Sequence, residues 1–143
     1  MSPPDHITLL NPKDLFDSAP SFSHVAVASP GVSMIYCAGQ VGADINREPA
    51  ATFEEQARLA FNNVKSCLRE AGATPKDVVK LTYYVVNWSP ERAPLFRKAL
   101  LEFLTDENGY VHRMATTLVS VAGLADPRWQ VEIDAVAAIK AKL

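Results

Sequence analysis

The segment Val78–Val86, reading VVKLTYYVV, is built of residues that favour pleated backbone, and it carries apolar bulk on both of the faces a strand would present. Val79, Leu81, Tyr83 and Val85 alternate with Lys80, Thr82 and Tyr84, and Val86 extends the second set. A strand of this kind needs cover on two sides. Two long helical patterns flank it. Thr52 stands three residues before Glu55, the spacing of a capping box, and Ala57, Ala60, Phe61, Val64, Leu68 and Ala71 then form one stripe that stops at Gly72. Ser89 followed by Pro90 predicts the start of a second helix that buries Ala93, Phe96, Leu100, Phe103 and Leu104 and ends before Asn108-Gly109.

Strand patterns fill the rest. His24, Ala26 and Ala28 alternate with Val25 and Val27, and Pro30-Gly31 reads as a turn into Val32–Ala38, which predicts a hairpin. Ala115–Val121 and Trp129–Ala138 are two further strands. The order is therefore strand, strand, helix, strand, helix, strand, strand, with right-handed crossovers that place both helices on one face of the sheet. Two helices cover one face only. In the last strand Val131, Ile133 and Ala135 lie opposite Val136 and Ala138, so the second face is also partly apolar, and another copy of the chain is its simplest cover. The prolines at 3, 4, 12 and 20 make residues 1–20 an irregular lead-in to a single domain spanning 1–143.

Charge and motifs remove several classes of function. Fourteen Lys and Arg against sixteen Asp and Glu give a net charge of −2, with no basic field for nucleic acid. No apolar run is long enough to span a bilayer, and no basic, apolar leader opens the chain, so a cytoplasmic protein is expected. Cys37 and Cys67 form no CxxC pair, and no histidine has the spacing of a metal site. GxSxG, GxxxxGK and GxGxxG are all missing.

What remains is a set of polar residues at strand ends. Glu132 sits in an otherwise apolar strand, where a carboxylate is either held at the rim by an arginine or backbone donors or is a proton-shuttling group. His112 and Arg113 precede Met114-Ala115-Thr116-Thr117, bringing an imidazole, a guanidinium and two hydroxyls to one loop. Gly39 and Gly42 bracket Gln40-Val41, where the backbone either bends or admits a ligand closely. Tyr83, Tyr84, Trp88 and Trp129 are either packing or the walls of a cavity.

In order along the chain, Phe22-Ser23-His24, Cys37-Ala38-Gly39-Gln40, Glu55-Gln56-Ala57-Arg58, Ala71-Gly72-Ala73 with Asp77-Val78-Val79-Lys80, and Val131-Glu132-Ile133-Asp134-Ala135 resemble the reactive-intermediate deaminase family, also called YjgF/UK114 or L-PSP endoribonuclease. The resemblance runs from about Ser21 to Ala138. It implies an α+β, chorismate-mutase-like (bacillus-type) ββαβαββ fold: a mixed sheet with two helices on one face, assembled as a homotrimer with ligand clefts between subunits. It also implies hydrolysis of small enamine or imine metabolites without a cofactor or metal. Glu132 matches the family glutamate that positions water, and Gly39 matches the cleft glycine. Three positions depart from the pattern: Thr116 stands in the arginine place, Phe22 replaces a tyrosine, and Arg97 replaces an asparagine. A neutral hydroxyl holds a carboxylate less well than a bidentate cation, so the resemblance implies a diverged enzyme acting on a larger or less anionic enamine, imine or carbonyl compound, or a noncatalytic metabolite-binding trimer. Phe22, Gly39, Arg97, Arg113, Thr116 and Thr117 are the expected binding residues, and Glu132 the catalytic one. Endoribonuclease activity, implied by one family name, finds no RNA-binding module in this chain.

Overall fold

The computed structural model describes residues 2–142. Its elements are β1 (Ile7–Leu10), β2 (Val25–Ala28), β3 (Val32–Val41), α1 (Phe53–Glu70), β4 (Val78–Val86), α2 (Ala93–Leu104), β5 (Ala115–Val121) and β6 (Val131–Lys140). A mixed sheet in the order β3-β6-β4-β5 carries both helices on one face. β6 runs antiparallel to both its neighbours, and α2 provides the crossover that makes β4 and β5 parallel.

The sequence sets the ends of α1 twice over. The Thr52 hydroxyl accepts the Glu55 N–H at 3.2 Å while the Glu55 carboxylate accepts the Thr52 N–H at 3.2 Å. At the other end Gly72 adopts φ +77°, letting Ala73 N–H reach the Leu68 carbonyl at 2.8 Å and Gly72 N–H the Arg69 carbonyl at 3.0 Å. Thr52→Ala is expected to lower stability by about 1 kcal/mol, read as a shifted urea midpoint with unchanged slope. Phe61 on α1, Phe96 and Phe103 on α2, and Leu81, Tyr83 and Ile133 on the sheet meet in the core between the layers.

Four expectations are corrected. Part of the 1–20 lead-in is ordered: Ile7–Leu10 pairs antiparallel with β2, and His6 Nε2 donates to the Ala138 carbonyl at 2.7 Å, tying this ladder to β6. The predicted hairpin does not form. β3 finds a long partner in β6 at the far end of the chain, and four-residue β2 could not match that ladder. The second helix starts at Ala93 rather than Pro90. Ser89 accepts the Arg92 N–H in a separate turn, and the proline tolerated without an amide in the first helical turn is Pro94. In β4 a register shift between Val78 and Lys80 buries Val78 instead of Val79.

The sheet's other face carries no helix. Tyr36 and Met34 on β3, and Val119 on β5, are exposed there, beside Val136 and Tyr84.

Candidate functional site

Strand alternation decides where each polar side chain points. On β6, Val131, Ile133 and Ala135 are buried toward the helices, so Glu132 and Asp134 project from the bare face. Glu132 is registered opposite Tyr84 on β4 and Val41 on β3. A bulge between Cys37 and Gln40 brings the β3 backbone under it. A Cβ at Gly39 would lie 2.8 Å from Glu132 Cδ and 2.9 Å from Cγ, so the glycine makes the room that the carboxylate occupies. Within one copy, among the described residues, nothing donates a hydrogen bond to that carboxylate and no cation pairs with it.

Gly42 has a different task. It packs on the backbone of Gln56, whose buried amide donates to the carbonyls of Ala50 and Arg128, each at 3.2 Å, and accepts the Gln130 N–H at 2.9 Å. Gly39 also borders a hollow of about 610 Å³ shared with Gln40, Asn63, Arg47 and Trp129.

Phe22, Arg97 and Thr116 come together elsewhere, in a groove of about 270 Å³ between α2 and the β4–β5 edge that Tyr83 and Trp88 also line. Thr116 is registered with Leu81 and therefore faces the helices. Thr117 points the opposite way, where Lys80 Nζ donates to its hydroxyl at 2.6 Å. The two threonines thus serve different faces. Arg97 is exposed on α2 and has no ion-pair or hydrogen-bond partner among the described residues. Arg113 is half-buried before β5 and does not border the groove.

The histidines are held by backbone carbonyls and aromatic rings. His112 is buried with Nε2 3.0 Å from the Val78 carbonyl, and burial holds its imidazole below the ordinary range, hence neutral. His24 stacks edge-on against Phe22 and Phe16. Burial and the neighbouring Cys67 thiol push Cys37 up, as suits a packed rather than a nucleophilic sulfur. Among the described residues no group of three or more His, Cys, Asp or Glu could hold a metal ion, and no helix is long and apolar enough to cross a membrane.

One residue escaped the sequence reading. Arg92 donates to the Val86 carbonyl at 2.6 Å and to Gln130 Oε1 at 2.7 Å, and its guanidinium lies 4.5 Å from the Phe53 ring centroid. It locks the start of α2 to the ends of β4 and β6. No local pattern announces it, because two of its three partners, Gln130 and Phe53, come from distant parts of the chain.

A mixed sheet with both helices on one face, a free carboxylate seated on a strand glycine and an aromatic groove at the sheet edge define a small α+β domain of the Rid type. The chain belongs to the YjgF/UK114 family: the model of the family described as Endoribonuclease L-PSP matches residues 13–139. A crystal structure from Yersinia pestis, YyfB, described as a protein of unknown function of the conserved Rid protein family, is similar with a TM-score of 0.84 and 31% identity, over 94% of this chain and 99% of that one. The RutC family protein YjgH of Escherichia coli is 35% identical over 51 residues, a stretch that spans 36% of this chain and 39% of that protein. The structure of E. coli TdcF with bound serine shares the fold, with a TM-score of 0.66 at 20% identity over 92% of this chain and 98% of that one.

Proposed function

We propose that the protein is a cofactor-independent hydrolase of a small enamine, imine or carbonyl intermediate, working as a homotrimer in the chorismate-mutase-like arrangement, with each site shared between copies. One observation carries this reading. The groove of Phe22, Arg97 and Thr116 lies on the helix side of the sheet edge, whereas Glu132 over Gly39 lies on the bare face, so one copy offers two half-sites that a neighbour can complete. The apolar residues exposed on the bare face supply the reason to associate.

In the shared cleft the Glu132 carboxylate takes a proton from water as the water oxygen adds to the C=N carbon, and the imine nitrogen gains a proton. As the C–N bond then breaks, the carbinolamine hydroxyl gives up its proton, which passes through Glu132 to the departing nitrogen, so that ammonia leaves and the carbonyl product remains; an enamine enters this sequence after protonation at carbon. The serine in TdcF supports a ligand of amino-acid size. Thr116 in place of the family arginine favours a second reading, a trimer that binds such metabolites without turning them over.

Subunit mixing tests the shared site. Co-expression of a Glu132→Gln copy with a Thr116→Trp copy, whose indole fills the groove, is expected to restore activity at about a quarter of the sites in randomly assembled trimers. Each parent alone stays inactive. Hybrid trimers, verified by sedimentation, that recover nothing overturn the shared cleft. Binding with no conversion of any imine by the wild type supports the second reading.

A further inference from the structure

The groove beside α2 has a graded interior. Its mouth carries the Arg97 guanidinium, exposed and without a partner among the described residues. Its walls are aromatic: Phe22, Trp88 and Phe96 border it, with Trp88 and Phe96 packed edge to face at 5.8 Å. Its inner lining includes Tyr83, which is only 3% exposed and whose buried hydroxyl has no hydrogen-bond partner among the described residues. An unsatisfied buried hydroxyl is costly to leave in a core when phenylalanine would pack equally well. Burial also pushes this phenol well above the ordinary tyrosine range, so it stays a neutral donor.

We propose that the groove takes a small carboxylic acid, or its imine, bearing an aromatic side chain whose far end accepts a hydrogen bond, with Arg97 holding the carboxylate at the mouth and Tyr83 donating to the far end. The size fits: a dry cavity of about 150 Å³ holds one benzene, and 270 Å³ leaves room for a ring with a short acid chain. The charge fits as well. Thr116 removes the cation expected from the strand, and Arg97 on α2 supplies one further out, which leaves the space between for a ring. This assignment rests on the groove being the substrate half of the site, and it names what that half selects.

Titration calorimetry of the full chain with 4-hydroxyphenylpyruvate, phenylpyruvate and pyruvate tests it without requiring turnover. The expected order is 4-hydroxyphenylpyruvate tightest, phenylpyruvate several-fold weaker, and pyruvate weaker by a further tenfold or so. Tyr83→Phe abolishes the difference between the two aryl acids and melts no lower than the wild type. Arg97→Ala weakens both aryl acids by about tenfold at low salt. Equal binding of pyruvate and phenylpyruvate, a preference for 4-hydroxyphenylpyruvate over phenylpyruvate that survives Tyr83→Phe, or no binding of any of the three overturns the assignment. Conversion of small imines that depends on Glu132, with no aryl binding, would sink this assignment and leave the proposed hydrolysis standing; aryl binding with no conversion would do the reverse.

Discussion

Glu132→Gln is expected to lower imine hydrolysis by about 10²- to 10⁴-fold, the range a positioned general base contributes, while leaving stability and assembly unchanged. Glutamine keeps the size of the side chain and its fit over Gly39 but cannot take a proton from water. No ion pair or hydrogen bond is lost with the charge, because the carboxylate has none among the described residues, so the melting temperature is expected to stay within about 2 °C, as for a substitution worth no more than about 0.5 kcal/mol. Imino acids generated in situ by an amino-acid oxidase, with ammonia-release kinetics as the readout, provide the assay. Undiminished conversion by an intact Glu132→Gln trimer removes Glu132 from the chemistry.

Gly42→Ala is expected to be among the most destabilising single-methyl changes the fold can suffer, costing about 3 kcal/mol or more and lowering the melting temperature by on the order of 10 °C. The added carbon meets the Cα, carbonyl carbon and oxygen of Gln56, and none of these is the yielding tip of a side chain. Gln56 cannot retreat freely, since it lies in the first turns of α1 and its amide is fixed by Ala50, Arg128 and Gln130. The same methyl at Gly123, where nothing lies within 4 Å, provides the control and is expected to change little. Thermal and urea denaturation of the two variants side by side decide the matter; a Gly42→Ala protein that melts with the wild type refutes the tight approach.

β4, β5 and α1 were legible in the chain because their signals are local: period-two alternation, period-3.6 stripes, and a capping box three residues wide. The failures share one cause. β1 hides among prolines and is ordered by pairing with β2, the pairing expected across the Pro30-Gly31 turn gives way to a longer ladder from β3 to β6, and Arg92 holds α2 partly through Gln130, far along the chain. The site was read in the same uneven way. Residue types marked Glu132, Gly39, Phe22, Arg97 and Thr116 as candidates, whereas their division between two faces depended on sheet order. Alternation alone would have told Thr116 from Thr117, a signal present in the sequence and not used.

The sheet between groove and carboxylate acts as insulation. Within one copy, substitutions at Phe22, Arg97 or Thr116 leave the seat of Glu132 on Gly39 undisturbed, since sites that share no neighbours change almost independently. A lineage built on this scaffold is free to vary the groove of each copy while the carboxylate keeps its seat.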